Sequence, residues 1–248
     1  MRMRKIKLAL LVIVVGIMLF SLFRLCTGLY SYYKGQETYE MLGTAVTVEK
    51  HSDDENDGKM NSISVDFSAL KKENPDVKAW LYSEKTPINY PVVQGEDNSR
   101  YLTQMYNLEW NGCGAIFIDY RCEKPFEDFN TIIYGHRMKD NSMFGSFGEY
   151  REQKYFDSHD TMLLVTPDRS YSVELFSVVT VPRDSELYRR GFDNESERQT
   201  YLDKIDALSE VKSDVRVTAS DRLVMMSTCT YEYENARLVI YGKLVEVE

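Results

Sequence analysis

The chain has 248 residues, of which 43% are hydrophobic and 18 are tyrosine, so it can bury a core of ordinary size. Its formal net charge is −9, but residues 1–34 hold six basic and no acidic residues, which leaves 24 basic and 39 acidic residues, or −15, for the rest. This acidic surface argues against nucleic acid as a partner, because phosphate binding needs a basic face.

The first thirty residues have the pattern of a membrane anchor. Four basic residues within the first seven precede a mostly apolar run from Leu8 to Phe23. As a helix this run covers about 24 Å, close to the roughly 30 Å of a bilayer core. No small-x-small cleavage site is evident, which favours an uncleaved anchor. We expect residues 1–7 in the cytoplasm, a single span over 8–30, and the rest of the chain outside the cell.

Residues 31–62 are predicted to be a linker that lifts the following domain off the membrane. From residue 35 onward the segment is polar and includes the acidic sequence HSDDENDGKMNS. A calcium loop does not fit, because Ser64 stands where the EF-hand needs a bidentate Glu. We therefore expect a solvated stalk with no metal.

Residues 63–248 are predicted to form one mainly β domain. Asp66 can cap a short helix through Lys72, and Pro75 forces a break before Val77–Trp80. Seven further apolar runs bounded by turn residues are predicted to be strands: Ile88–Val93, Ala115–Tyr120, Thr131–Tyr134, Thr161–Thr166, Tyr171–Val181, Arg222–Thr228 and Arg237–Val247. The pattern is typical of a mainly antiparallel barrel or sandwich. Two helices are predicted between strands, near Ser142–Phe156 and over Glu195–Val211.

The cysteines must fit an extracytoplasmic setting. Cys26 lies at the membrane, which leaves the odd number Cys113, Cys122 and Cys229 outside. Cys113 and Cys122 flank the strand-like GAIFIDY, and nine extended residues cover about 30 Å, whereas a disulfide needs Cα atoms within about 7 Å. These two can pair only if the segment is not a strand. A free Cys229 outside the cell needs a reason, and nucleophilic catalysis is the obvious one.

Cys229 ends one predicted strand and Arg237 begins the next. If the two strands pair antiparallel, the thiol and the guanidinium face one pocket, and a nearby cation is what a thiol needs to become a reactive thiolate. The alternatives are a small buried cysteine and a surface arginine at a strand end.

A base must come from one of three histidines. His51 lies in the linker and His159 in a polar segment, where a surface role is expected. His136 follows the apolar run TIIYG and opens a loop rich in Gly and Asn, so it would stand at a barrel rim. With Cys229 and Arg237 it would complete a nucleophile, an acid/base and an oxyanion donor, although a structural loop histidine is the alternative.

Several ordered segments resemble the sortases, membrane-anchored cysteine transpeptidases of Gram-positive bacteria, and most of all class B. They are DFSALKKENPDVKAWL, INYPVVQGEDNSRYL, GAIFIDYR, NTIIYGHRM followed by SMFG, and STC before ARLVIYGKL, and together they cover roughly Val65 to Val245. The resemblance implies a closed eight-stranded β-barrel with N-terminal helices and a helix between strands six and seven, which Glu195–Val211 fits.

The resemblance also implies site residues. His136 matches the family's catalytic histidine, Cys229 its nucleophile and Arg237 the arginine that steadies the oxyanion. Four further positions match the substrate groove of class B members: Asn98, Leu102, Tyr134 and Ser227. The chain departs from the family in having Met225-Met226 where Thr-Leu is usual, and Thr230, Tyr231 and Glu232 where some members carry an acid directly after the cysteine.

By this resemblance, the protein would cleave a C-terminal sorting signal of secreted proteins after Thr and join them to an amine of a peptidoglycan precursor of the lipid II type. No cofactor is expected. Two other interpretations stay open: a hydrolytic cysteine protease with the same Cys and His, and a non-catalytic membrane-anchored binding module.

Overall fold

The computed structural model describes residues 2–44, 46–49 and 62–247. A small antiparallel sheet consists of β1 (Thr47–Glu49) and β2 (Ser62–Ser64), and eight further strands close into a barrel. The barrel strands are β3 (Val77–Tyr82), β4 (Asn89–Val93), β5 (Ile116–Ile118), β6 (Asn130–Tyr134), β7 (Thr161–Val165), β8 (Ser170–Pro182), β9 (Arg222–Cys229) and β10 (Ala236–Val247).

The strand order around the barrel is β10-β8-β7-β3-β4-β5-β6-β9, and β9 pairs with β10 to close it. The pairs β4–β5 and β6–β9 are parallel and the other six are antiparallel. Closure gives every barrel strand two neighbours and so removes the open edges that would otherwise invite association. The predicted mainly antiparallel β architecture is therefore confirmed. Of the two alternatives, a barrel and a sandwich, the structure is the barrel.

Apolar side chains fill the barrel. Trp80 and Tyr241 are fully buried, and the indole N–H of Trp80 donates to Asn89 Oδ1 at 2.7 Å. The register of β10 against β8 shifts between Tyr241 and Gly242, where a Cβ on Gly242 would lie only 2.3 Å from Val173 Cγ1. The glycine lets the two strands approach closely at this bulge.

Four α-helices lie outside the barrel in the described ranges. They are α1 (Arg2–Thr44), α2 (Phe67–Glu73), α3 (Gln153–Ser158, after a 3-10 turn at Gly145–Arg151) and α4 (Glu195–Leu208). Asp66 caps α2 as predicted, because its carboxylate accepts from Ala69 N at 3.0 Å. Helix α4 follows β8 and precedes β9, the sixth and seventh barrel strands, and it buries Tyr201 and Ile205 against the barrel.

Helix α1 differs from the predicted linker. Residues 31–44 continue the helix instead of starting a polar stalk, and Tyr39 from this part is buried against the barrel. The Tyr39 hydroxyl donates to Gly114 O at 2.7 Å and accepts from Tyr106 N at 3.3 Å. This aromatic side chain with a polar tip helps to hold a segment whose other residues are mostly polar, together with the hydrogen bonds between Ser31 and Asn111. Residues 50–61, including His51, lie outside the described residues.

Cys113 and Cys122 are buried and free. The segment between them contains β5, so the condition that would have allowed a disulfide is not met. Burial raises the pKa of the Cys113 thiol to about 11, and it also raises the pKa of Cys122. Both thiols therefore stay protonated at neutral pH and behave as small apolar side chains.

Candidate active site

Strand β9 lies between β6 and β10, and this position assembles the site. In the parallel β6–β9 pair, Tyr134 is opposite Ser227. The pairing continues one residue further, since Gly135 N donates to Ser227 O at 3.1 Å. Two residues beyond the Tyr134–Ser227 pair come His136 and Cys229. Side chains two residues apart point to one face of a sheet, so the imidazole and the thiol emerge on the same side.

On the other side of β9 the antiparallel pair with β10 places Arg237 opposite Cys229. Directly opposite residues share a face, with Cβ atoms about 5 Å apart. The thiol thus stands between an imidazole and a guanidinium supplied by its two neighbouring strands. Cys229 is half-buried, unlike Cys113 and Cys122, so a substrate can reach it.

The imidazole of His136 is oriented by the main chain. Its Nε2 lies 2.8 Å from Leu102 O. A carbonyl oxygen only accepts, so Nε2 carries the proton and Nδ1 is the nitrogen left free to exchange a proton. Gly114, with φ +60°, lies below the ring, where a Cβ would be 3.1 Å from His136 Cδ2.

These side chains open onto a cleft of about 430 Å³. Its lining residues are Asn98, Leu102, Phe117, Arg121, Tyr134, Gly135, His136, Arg183, Tyr188, Ser227, Thr228, Cys229 and Arg237. The lining holds three arginines and no carboxylate. Within the described ranges, Arg237 forms no ion pair; its Nη1 donates to Ala236 O at 2.9 Å. Its charge is therefore available to a developing oxyanion in the cleft.

One wall of the cleft is aromatic and hydrogen-bonded. The rings of Tyr134 and Tyr188 stack with centroids 6.2 Å apart and planes at 15°. The Tyr188 hydroxyl forms a 2.6 Å hydrogen bond with Ser227 Oγ, two residues before Cys229. Burial raises the pKa of Tyr188 to about 12 and raises the pKa of Tyr134 as well, so both phenols are neutral at pH 7.

Glu232, the first acid after the cysteine, is held by other partners. Its carboxylate accepts from Thr230 Oγ1 and pairs with Arg151. The hydrogen bond from Thr230 is the main reason that the pKa of Glu232 lies below its usual value, and Arg151 adds to it. Arg137 donates to Thr230 Oγ1 at 2.9 Å on the same side. The Glu232 carboxylate is therefore bound to Thr230 and Arg151, and Arg137 donates to the same threonine.

Comparison with known proteins shows which family this chain resembles in sequence and in structure. The sortase domain family matches residues 81–245. The chain is 34% identical to sortase B of Listeria monocytogenes over 239 residues (96% of each chain), and 31% identical to sortase B of Staphylococcus aureus over 219 residues (88% of this chain, 84% of that one). The chain belongs to the class B sortases. The crystal structure of the Bacillus anthracis enzyme in complex with AAEK1 superposes on this sortase with a TM-score of 0.75, 34% identity and coverage of 88% and 100%. A crystal structure of Staphylococcus aureus sortase B superposes with a TM-score of 0.70 and 33% identity, covering 73% of this chain and 87% of that one.

All seven residues singled out from the sequence line the cleft of this sortase. Six further lining residues had not been singled out: Phe117, Arg121, Gly135, Arg183, Tyr188 and Thr228. Phe117 and Arg121 stand in the segment GAIFIDYR, Gly135 in NTIIYGHRM and Thr228 in STC, so part of the signal was present. No sequence pattern points to Tyr188, which lies in the irregular stretch after β8.

Size alone does not identify the site of this sortase. A larger cavity, about 570 Å³, lies between α1 and the barrel and includes Tyr39, Tyr90 and Cys113 in its lining. None of the seven residues lines it. His159 does not line the cleft either, and its ring stacks on Tyr155 with centroids 4.1 Å apart.

Proposed function

We propose that this sortase cleaves a C-terminal sorting signal of secreted proteins after Thr and transfers the protein to an amine of a peptidoglycan precursor. The observation that carries the proposal is the cleft in which β9 and its two neighbours place a half-buried thiol, an oriented imidazole and an available guanidinium. Staphylococcus aureus sortase B has been solved as a substrate complex, and a sortase B structure has been solved in complex with triglycine. A glycine tripeptide carries a free amine, which supports an amine as acceptor.

In the first half-reaction the Cys229 thiolate attacks the Thr carbonyl carbon and a C–S bond forms. The negative charge on the carbonyl oxygen is stabilised by Arg237. As the intermediate collapses, the Thr C–N bond breaks and His136 gives a proton to the leaving amine. The product is a thioester between Cys229 and the Thr carbonyl, with the C-terminal fragment released.

In the second half-reaction the acceptor amine attacks the thioester carbonyl. His136, now neutral, takes the proton that the amine loses, and Arg237 again faces the oxyanion. The C–S bond breaks and the thiolate of Cys229 returns. The resulting amide joins the sorted protein to the precursor.

Helix α1 is a candidate membrane span by length and composition. We place residues 1–7 in the cytoplasm, residues 8–30 across the membrane and the barrel outside, because the basic excess precedes the apolar run. Such an anchor confines the enzyme to the membrane face where a secreted protein and a lipid-linked amine both emerge.

The test uses the full-length protein in detergent, a labelled peptide library of candidate sorting signals, and triglycine as the amine. The wild type should form a thioester on Cys229, detected by mass spectrometry, and a ligated product with triglycine. Cys229→Ala should form neither, whereas the matched control Cys122→Ser should keep both. Turnover by Cys229→Ala would contradict the proposal. Cleaved peptide without ligated product would favour the hydrolytic protease, and an unreactive Cys229 the binding module.

A further inference from the structure

A buried carboxylate lies behind the cleft wall. Asp119 follows β5 directly and its side chain is 0% exposed. It does not line the cleft itself. Burying a charge is costly unless every oxygen is hydrogen-bonded, and replacing buried ion pairs by neutral groups often leaves stability unchanged. The presence of a carboxylate here, where a neutral residue could fill the space, points to a task beyond packing.

Two partners of Asp119, Arg121 and Tyr134, do line the cleft. Arg121 donates to it through Nε at 2.8 Å and Nη2 at 2.7 Å, and Arg121 N donates at 3.0 Å. The Tyr134 hydroxyl donates to Oδ2 at 3.0 Å, and Arg190 Nη1 lies 3.9 Å from the same oxygen. A planar guanidinium held by two parallel hydrogen bonds has a fixed orientation.

The network reaches the strand that carries the nucleophile. Tyr134, fixed at its hydroxyl by Asp119, stacks on Tyr188, and Tyr188 is hydrogen-bonded to Ser227 on β9. One buried carboxylate therefore holds an arginine and a tyrosine of the cleft wall in place, and through Tyr134 it supports the Tyr188–Ser227 pair.

We propose that Asp119 is a positioning residue that fixes Arg121 and Tyr134 in the orientation needed to hold the sorting peptide. The inference rests on the proposed function, since it concerns the peptide substrate of the same cleft. Arg121 spends its Nε and Nη2 donors on Asp119, and no hydrogen bond within the described residues uses its Nη1. The Nη1–H groups can therefore donate to a carbonyl oxygen of an extended peptide. The Arg121–Asp119 pair is neutral as a whole, which suits a carbonyl better than a carboxylate.

The ionisation of Asp119 is compatible with this task. Burial alone would raise its pKa, but the hydrogen bonds from Arg121 and Tyr134 outweigh burial and lower the pKa to about 2. The carboxylate is charged at every pH at which the enzyme would be assayed. Its contribution to peptide binding should accordingly be constant between about pH 5 and 9, well above that pKa.

The decisive variant is Asp119→Asn in the full-length protein, assayed with the best peptide from the library. We expect KM to rise about ten-fold, the size expected when a hydrogen bond to a charged group is lost, with kcat within about three-fold of wild type. Alkylation of Cys229 by iodoacetamide should keep its wild-type rate, because a small reagent does not use the cleft wall. Glu246→Gln is the matched control. It removes a carboxylate that pairs with Arg169 at 3.1 Å, far along β10 from Arg237, and should leave KM unchanged.

Two smaller changes keep the test independent of folding. Arg121→Gln removes the two side-chain hydrogen bonds from Arg121 to Asp119, Tyr134→Phe removes the one from Tyr134, and each variant should raise KM. In a double variant with Asp119→Asn, each of these substitutions should raise KM by a smaller factor than it does alone, because both partners of the pair act through the Asp119 carboxylate. The proposal is overturned if KM stays at the wild-type value in all three single variants, or if Asp119→Asn lowers kcat and the alkylation rate together.

Peptide binding to the Cys229→Ala variant separates this inference from the proposed function. There Asp119→Asn should weaken binding about ten-fold, although no thioester can form. If the wild type forms no thioester while Asp119→Asn still weakens peptide binding, the proposed function is contradicted and the role of Asp119 is supported. If the wild type forms the thioester while Asp119→Asn leaves peptide binding unchanged, the proposed function is supported and the role of Asp119 is contradicted.

Discussion

Glu232 is the first acidic residue after the proposed nucleophile, and its carboxylate is hydrogen-bonded to residues other than His136. Arg151 and Thr230 hold its carboxylate, while the imidazole of His136 is oriented by Leu102 O. A backbone carbonyl here takes the orienting position that a carboxylate takes in a Cys-His-Asp arrangement. A carbonyl cannot be protonated, so the orientation of His136 does not vary with pH through its partner.

Glu232→Gln should therefore leave kcat/KM within about three-fold of wild type, since the carboxylate bonds to Thr230 and Arg151 and not to His136, and the amide oxygen of Gln can keep one of these two hydrogen bonds. Steady-state ligation with triglycine measures it. Glu210→Gln is the matched control, because Glu210 pairs with the same Arg151 at 2.6 Å. A loss of about a hundred-fold or more in Glu232→Gln alone would show that the carboxylate assists His136 after all.

Single residues were predictable from the sequence where they stand at the end of an apolar run. His136 follows one run, Cys229 ends another and Arg237 begins a third, so strand geometry alone suggested a shared rim. Tyr188 carries no such mark, and although Asp119 follows the apolar run AIFI, its position does not reveal its partners. The hydroxyl of Tyr188 meets Ser227 across 39 positions, and Asp119 meets Tyr134 across a strand pair. Such contacts depend on tertiary register, which no local pattern encodes.

At the scale of elements, the loop before β5 supports the histidine from below. Gly114 has φ +60°, and a Cβ there would lie 2.4 Å from Tyr101 O and 3.0 Å from Leu102 O. Leu102 O is the acceptor that orients His136. The short 3-10 helix Arg100–Leu102, the glycine and the histidine therefore form one packed unit.

Gly114→Ala should destabilise the protein by about 1–3 kcal/mol, because the left-handed backbone and the clash with two carbonyl groups both oppose a side chain. It should also lower kcat/KM by at least about ten-fold, since Leu102 O must move and His136 moves with it. Gly112→Ala is the control: nothing lies within 4 Å of a Cβ at Gly112, so its stability should change by less than about 0.5 kcal/mol. Thermal unfolding and ligation kinetics on both variants test this pair. Equal effects from the two substitutions would rule out the explanation by contact with Leu102.

The strands themselves were largely predictable, because short apolar runs between turn residues recur through the domain. Their pairing was not. The parallel neighbours β4–β5 and β6–β9 arise from crossovers, and β9 pairs with both β6 and β10. The helix predicted near Ser142–Phe156 consists of a 3-10 turn at Gly145–Arg151 followed by the short helix α3. Phe144 and Phe147 stack there with centroids 4.1 Å apart, a contact that suits a 3-10 turn, in which side chains three residues apart eclipse.

At the scale of the whole molecule, the charge of the cleft differs in sign from the charge of the rest of the domain. The chain after residue 34 carries −15, yet the cleft is lined by Arg121, Arg183 and Arg237 and by no carboxylate. Asp119 behind the wall balances the charge of Arg121, so the positive potential of the cleft comes from Arg183 and Arg237, and it would favour the oxyanion of the proposed reaction. The packed C-terminal part of α1 joins the barrel to the apolar half of the helix, which is the candidate membrane span.

The C-terminal part of α1 belongs to the folded unit, and this has a measurable consequence. Tyr39 packs edge-on to Tyr90 at 5.3 Å and lies 5.9 Å from Tyr106, and Asn111 Nδ2 donates to Ser31 O at 2.8 Å. None of these contacts involves residues before Ser31. A chain that begins at Gly28 should therefore keep the thermal stability of the barrel, although it lacks the candidate membrane span.

A chain that begins at Val46 removes Tyr39 and exposes its aromatic neighbours. Loss of a buried aromatic side chain costs about 3–5 kcal/mol, and this truncation should lower the free energy of unfolding by a similar amount. Tyr39→Phe in the chain that begins at Gly28 is the control. It keeps the ring and loses only the hydrogen bonds to Gly114 O and from Tyr106 N, so it should cost about 1–2 kcal/mol. Urea unfolding of the three proteins measures the differences. Equal stability of the two truncations would mean that α1 is held by the membrane alone and leaves the barrel independent of it.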